Sequence, residues 1–261
     1  MQSTATCTTA SNPCSTPWEG VLTAECTVCA VAWDVDGTLV DSEPLHLRAL
    51  QAVCQVYGMD IRDHGATPFI GVAIADVWQQ LAPGFARALG HYPDGGEQAF
   101  RAGVTAYYLD HVHEVRVLPG VREALEYLAR TGVVQAAVSN SERAIVLANL
   151  RAVGAHTAFS AIVSLDDVQQ PKPAPEPYLK ALAMLGVPAR ATWAVEDSPS
   201  GSHSARAAGL PVLLVGDNEQ AHGEYRLPDL TQFVPWWQSI GSRGQAVAHE
   251  STRQAARRVN V

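Results

Sequence analysis

An α/β fold, a parallel sheet covered by helices with a helical domain inserted into it, is what this sequence predicts. Three observations carry the prediction. Short apolar, β-branched runs alternate with amphipathic stretches of helical period, the signature of βαβ units. Between about residues 46 and 114 the alternation stops and only helical patterns remain. Acidic or small polar residues (Asp34, Ser139, Asp197) stand at the ends of three apolar runs, on the side where open α/β sheets bind ligands.

Taken in order, residues 1–26 are polar and Ser/Thr-rich, with neither a basic start nor an apolar h-region. They read as a disordered tail rather than a secretory signal. Strands are expected near 28–34, 134–139, 161–164, 192–196 and 211–215, and core helices near 121–130, 142–153, 175–186 and 201–209. Within the interruption, 46–58, 73–81 and 97–111 are helical in character, and Leu118-Pro119-Gly120 returns the chain to the core. The polar stretch from 239 to 261, with Arg257-Arg258 near its end, reads as a second disordered tail. The expected organisation is therefore a tail over 1–26, a core over 27–45 and 115–238, an insertion over 46–114, and a tail over 239–261. No internal repeat is visible.

Composition narrows the function classes. A chain of 261 residues can bury a substantial core. Its net charge of −8, with no basic block, argues against nucleic acid and anionic membranes as partners. No apolar stretch approaches a membrane span, so a soluble, cytoplasmic protein is expected. Its five cysteines, Cys7, Cys14, Cys26, Cys29 and Cys54, all fall in the first quarter. The spacing from Cys14 to Cys26-x-x-Cys29 matches no common zinc finger, and Cys29 belongs to an apolar run, so free thiols are expected. Lysine is rare: Lys172 and Lys180 are the only two among 18 Lys and Arg residues. Lys172 is fenced by Pro171 and Pro173, which exclude a helix interior and stiffen its backbone, so its ammonium is aimed by a constrained loop.

The stretch Asp34-Val35-Asp36-Gly37-Thr38 holds the strongest chemical signal. Side chains two apart on an extended backbone point the same way, so both carboxylates address one site at the end of a buried strand. Two anions this close require a cation between them or a shared proton. That is the arrangement of a carboxylate nucleophile beside an acid/base carboxyl, with a divalent metal to neutralise them. A calcium loop would need further oxygen ligands at alternating spacing, and Thr38-Leu39-Val40 offers none.

The segment 31–46, VAWDVDGTLVDSEPLH, resembles the first motif of the haloacid dehalogenase superfamily, closest to its sugar-phosphatase and beta-phosphoglucomutase-like branch. Three further motifs follow in order: Val138-Ser139-Asn140, Lys172 in its Pro-rich loop, and Val195-Glu196-Asp197-Ser198-Pro199-Ser200-Gly201. The resemblance implies a Rossmann-like sheet of order 3-2-1-4-5 with the Asp34 strand central, and it makes the insertion an all-helical cap. It implies that Asp34 is the nucleophile, forming an aspartyl-phosphate, and that Asp36 is the acid/base. A magnesium ion would be held by Asp34, Asp197 and the main-chain carbonyl of Asp36, with Glu196 a weaker ligand acting through water. Ser139, Gly37, Thr38 and neighbouring amides would hold the phosphate, Asn140 would orient it, and Lys172 would balance its charge. Ser139-Asn140 also suits a helix N-cap, a role compatible with phosphate binding. His46, at the cap junction, either faces the site or simply opens the first cap helix. An acid at Asp36 favours oxygen leaving groups over halides.

The cap carries less information. The segment 69–76 aligns loosely with the specificity segment of relatives, but the Arg that beta-phosphoglucomutases carry after the Gly is replaced by Ala and Asp here. Arg62, Arg87 and Arg101 cannot be placed from sequence, and the cap contains no lysine for Schiff-base chemistry. The expected function is a magnesium-dependent phosphatase of small sugar, polyol or small-acid phosphomonoesters, as a monomer or weak homodimer. A phosphomutase and a non-catalytic phosphometabolite-binding module are the alternatives.

Overall fold

A computed structural model of the protein describes residues 28–62, 69, 72, 74–154 and 156–240. Six strands form one parallel sheet: β1 (Ala30–Trp33), β4 (Val134–Val138), β5 (Ala161–Val163), β6 (Thr192–Glu196), β7 (Val212–Val215) and β8 (Tyr225–Leu227). Their spatial order is β5-β4-β1-β6-β7-β8. The first five reproduce the expected 3-2-1-4-5, with β1 central and paired on both sides. The sixth was not expected from sequence. It has three residues, two of them exposed, so it lacks an apolar run, and its pairing to β7 defines it.

Alternation along β1 sorts its side chains onto the two faces. Val31 and Trp33 join one core layer, with α4 (Val121–Arg130), α5 (Arg143–Val153) and the helical residues 233–240. Trp33 anchors this layer, packing in a tilted pair with Phe233 and donating its indole N–H to Gln135 at 3.0 Å. On the other face Ala32 lies between Ala136 and Ala194 in register. This row of small residues belongs to the layer of α6 (Glu176–Leu185) and α7 (Pro199–Ala207), and Tyr178 of α6 is fully buried in it. The helix over 233–240 carries the chain two residues past the expected core boundary at 238. Residues 1–27 and 241–261, with Cys7, Cys14 and Cys26, lie outside the described residues.

The insertion is helical: α1 (Glu43–Val56), α2 (Ile74–Leu89) and α3 (Gly96–His111). Helix α1 starts three residues earlier than expected, with Pro44 in the first turn, where its missing N–H costs nothing. Helix α2 runs through Pro83, although the sequence pattern had suggested an end at Leu81. Its buried face (Val77, Trp78, Leu81, Ala82, Phe85) explains why, since tertiary packing of an apolar stripe outweighs one poor helix former. The three helices bury their own core around Phe85, Phe100 and Tyr108.

Two short strands, β2 (Val40–Asp41) and β3 (Arg116–Val117), pair antiparallel where the chain leaves and re-enters the core. Cap and core also meet along α3 and α5. Tyr108 donates to Asn149 at 2.9 Å, while Glu142, just before α5, accepts from Thr105 at 2.6 Å and from Arg101 at 2.9 Å. Among the described residues no helix is long and apolar enough to cross a membrane.

Candidate active site

The C-terminal ends of β1, β4 and β6 bring Asp34, Ser139 and Glu196-Asp197 together, because adjacent parallel strands end at the same level. Beyond β1, the turn at Gly37 adopts φ +84°, and its N–H bonds to Val40 O at 2.8 Å. A Cβ on Gly37 would fall 2.3 Å from Asp197 Oδ2, so this glycine lets the two acidic segments approach.

Lys172 is the electrostatic centre of the floor. Its Nζ donates to Asp34 Oδ1 at 2.7 Å, Glu196 Oε1 at 2.7 Å and Val138 O at 2.8 Å, with only 6% of the residue exposed. Burial by itself favours the neutral amine, but the two carboxylates more than offset that and hold the ammonium charged. Asn140 fixes the lysine's main chain from both ends: its Nδ2 donates to Lys172 O at 3.0 Å, and its Oδ1 accepts from Lys172 N at 2.9 Å. The amide expected to orient a phosphate is thus engaged in holding the lysine loop.

Around that single ammonium stand three carboxylates. Oxygens of Asp34, Glu196 and Asp197 lie within 4.8 Å of one another. Burial, reinforced by Glu196, Asp197 and Asp36 and opposed by Lys172, raises the Asp34 carboxyl well above its ordinary value. Burial and Glu196 likewise push Asp197 up to about 7. Burial comes first in both shifts, and crowding of carboxylates around a single ammonium adds to it. Asp34 Oδ2 is buried with no hydrogen-bond partner. A cluster of three acids around one ammonium fits a divalent, oxygen-seeking cation.

Glu196 is more deeply built in than its sequence reading suggested. It is fully buried and accepts from Tyr178 Oη at 2.5 Å and Ser198 Oγ at 3.2 Å besides Lys172. A Cβ on Gly201 would fall 2.0 Å from its carboxylate, so the first turn of α7 closes onto it only because that residue is glycine. Thr38 is buried, and its hydroxyl lies 3.4 Å from Asp197 Oδ1.

Asp36 behaves differently from Asp34. Its Oδ1 accepts from Ser42 at 2.7 Å and Asn149 at 3.1 Å and lies 3.4 Å from His46 Nε2. Its Oδ2 accepts from Ser139 and Ser141, both at 2.9 Å. Burial would raise this carboxyl, yet donors headed by His46, Ser42 and Ser139 hold it well below the usual carboxylate range. The hydroxyl of Ser139 faces Asp36 in this arrangement, and α5 begins only at Arg143 with Glu142 before it, so Ser139-Asn140 is not its cap. His46 lies inside α1 and packs in a tilted pair with Tyr108, ring centroids 4.5 Å apart.

Four contributors escaped the sequence reading: Ser42, Ser141, Asn149 and Tyr178. Asn149 had a signal, a lone buried amide on the apolar stripe of Ile145, Val146, Leu150 and Val153. Ser141 stands two residues beyond Ser139 in the bend after β4, where its N–H donates to Ser139 Oγ at 2.9 Å, and could have been read as its neighbour. Nothing in sequence singles out Tyr178.

Over this floor the cap encloses a cavity of about 150 Å³, lined by Asp34, Asp36, His46, Asn140, Lys172 and Asp197 together with side chains from all three cap helices. Of the segment 69–76, Phe69, Val72 and Ile74 line it, while Ile70, Gly71 and Ala73 lie outside the described residues.

A family model described as haloacid dehalogenase-like hydrolase matches residues 31–215. The protein CbbY of Rhodobacter capsulatus is 33% identical over 222 residues, covering 79% of this chain and 97% of the relative. Hexitol phosphatase B of Escherichia coli K12 is 32% identical over 198 residues, covering 72% of this chain and 83% of the relative. The crystal structure of CbbY from Rhodobacter sphaeroides in complex with phosphate superposes with a TM-score of 0.68 at 25% identity, over 79% of this chain and 96% of the other.

Proposed function

The chain belongs to the haloacid dehalogenase-like hydrolases, and from that premise we propose that it hydrolyses small phosphomonoesters through an aspartyl-phosphate on Asp34. One observation carries the reading: a buried Asp34 whose Oδ1 is held by Lys172 and whose Oδ2 has no partner, beneath an enclosing cap. Lys172 orients the carboxylate and leaves the other oxygen available to attack phosphorus. Asp34, Asp197 and Glu196, with the main-chain carbonyl of Asp36, are the groups that would hold a magnesium ion, which when bound supplies charge neutralisation for the carboxylates and the phosphate.

As Asp34 bonds to phosphorus, the bond to the leaving oxygen breaks, and that oxygen takes a proton through Asp36, which first accepts it from the phosphomonoester monoanion. In the second half Asp36, again a carboxylate, takes a proton from the water that attacks the aspartyl-phosphate and releases phosphate. Its five donors favour the ionised form, so the resting residue is set as the base of this second half. Ser139 and Ser141, whose hydroxyls face Asp36, supply donors at the place where phosphate oxygens and Asp36 meet. The cap excludes water that would otherwise compete with the leaving alcohol. Relatives named for hexitol and phosphoglycolate phosphatase activity support a small phosphorylated metabolite as substrate.

The test is phosphate release from a panel of small phosphomonoesters, with magnesium and with EDTA, alongside Asp34→Asn. Release is expected with magnesium, to disappear with EDTA, and to fall at least roughly a thousandfold in the variant while its circular dichroism is unchanged. Turnover retained by Asp34→Asn would remove the proposed nucleophile.

A further inference from the structure

The roof of the cavity differs in kind from its floor. Helix α1 contributes Leu47 and Leu50, α2 contributes Ile74 and Val77, and α3 contributes Val104. Phe69 and Val72 close one side, and Ile145 and Leu165 of the core complete the apolar wall. Three polar groups in the same wall already have partners. Thr105 donates to Glu142, the Asn140 amide is engaged at both ends, and Ser141 donates to Asp36. Ser200 Oγ, buried without a hydrogen-bond partner, leaves room for one polar contact.

Charge points the same way. Glu43 and Glu142 line the cavity besides Asp34, Asp36 and Asp197, against Lys172 and His46. Arg101 of α3 does not line it among the described residues, and its Nε is held by Glu142 at 2.9 Å. The cap residues outside the described ones, 63–68, 70, 71 and 73, include neither lysine nor arginine. Among the described residues of the cap wall, a second phosphate or a carboxylate on the substrate would therefore meet acids rather than a lysine or arginine. A ring of hydroxyls would find Glu43, Glu142 and Ser200 at the edge of the cavity and hydrocarbon over the rest of the roof, at roughly tenfold in affinity for each hydroxyl left unpaired.

We infer that the substrate is the phosphomonoester of an uncharged, predominantly apolar alcohol, with an organic part no larger than about one six-membered ring. The inference rests on the phosphatase reading and narrows it from small phosphomonoesters in general. The volume sets the upper limit, since a benzene-sized ring alone would fill about 150 Å³ and the phosphate takes the Asp34 end of the same cavity.

The full chain with magnesium is assayed on benzyl phosphate, glucose 6-phosphate and phosphoglycolate, all phosphates of a primary alcohol carbon. The expected kcat/KM for benzyl phosphate exceeds both others by about tenfold or more. In parallel, calorimetry with the non-hydrolysable benzylphosphonate and phosphonoacetate should give the same preference without turnover. Val104→Thr, which adds a hydroxyl at nearly constant volume, should shrink the benzyl preference several-fold, and a melting curve checks that it folds. Hydrolysis of glucose 6-phosphate or phosphoglycolate at equal or greater efficiency overturns the inference and leaves the phosphatase standing. Equal binding of the two phosphonates also overturns it. Preferential benzylphosphonate binding with no release from any ester leaves the ligand class intact and removes the hydrolase.

Discussion

At the floor of the cavity Lys172 Nζ lies 2.7 Å from both Asp34 and Glu196, sealed from solvent, whereas at the roof Leu50, Val77 and Val104 offer only hydrocarbon. In the floor nearly every polar atom has an assigned partner. A displacement there strands a buried charge, so its geometry is held within narrow limits. The roof is held by area and shape, which tolerate substitution of one aliphatic for another. The contrast teaches how one core can keep its chemistry while its cap changes what is admitted.

The largest expected effect separates the two regions directly. Lys172→Met leaves Asp34 and Glu196 buried without their cation, and unfolding free energy should fall by about 3–5 kcal/mol. Urea denaturation measures this, and a loss below about 1 kcal/mol would mean that the floor is not held by charge pairing. In the cap, Phe100→Ala empties a site packed by Trp78 and Phe85 and should cost about 3–4 kcal/mol. Hydrogen exchange should then quicken in α1–α3 and stay slow in the sheet. Equal loosening of both would show that cap and core open as one unit.

The seam between the regions offers a smaller effect. Glu142→Gln weakens the bonds from Arg101 and Thr105 that tie α3 to the core. If closure loses about 1 kcal/mol, KM should rise about fivefold with kcat nearly unchanged. A change in kcat alone would place Glu142 in the chemistry instead of the seam.

The smallest effect comes from a carboxylate pair on the core rim, where water competes. Burial opposes ionisation of Asp167, but hydrogen bonds from Arg143 and Ser164 outweigh it and hold the carboxyl at about 2 against an ordinary 3.8. A depressed folded-state value gives stability that is complete above about pH 4 and is lost as pH falls through about 2. After solvent screening it amounts to about 1 kcal/mol. The stability difference between wild type and Asp167→Asn should show that size at pH 5 and shrink towards zero near pH 2. A difference that does not change with pH would assign Asp167 a packing role.

Much of the floor was legible because its signals are local. Asp34 and Asp36 sit two apart at the end of an apolar run, and Lys172 is one of two lysines, fenced by prolines. The proper weight of Glu196 was not legible, since its partners Lys172 and Tyr178 lie 24 and 18 residues away. The saturation of Asp36 depended on Ser139, Ser141 and Asn149, more than a hundred residues distant. The continuation of α2 through Pro83 and the pairing of β8 were decided by packing and by a neighbouring strand, which local pattern cannot weigh.

The sequence by itself therefore determined the strand and helix alternation, the all-helical insertion and the set of acids at the strand ends. Periods of 2 and 3.6 and the stiffness of Gly and Pro turns act within a few residues. Only the tertiary structure decided which carboxylate is orphaned and which is saturated, and that the roof is apolar and without a cation among the described residues. Those properties are sums over side chains brought within a few ångströms by the fold, and burial, not identity, sets whether a charge is stabilised or stranded.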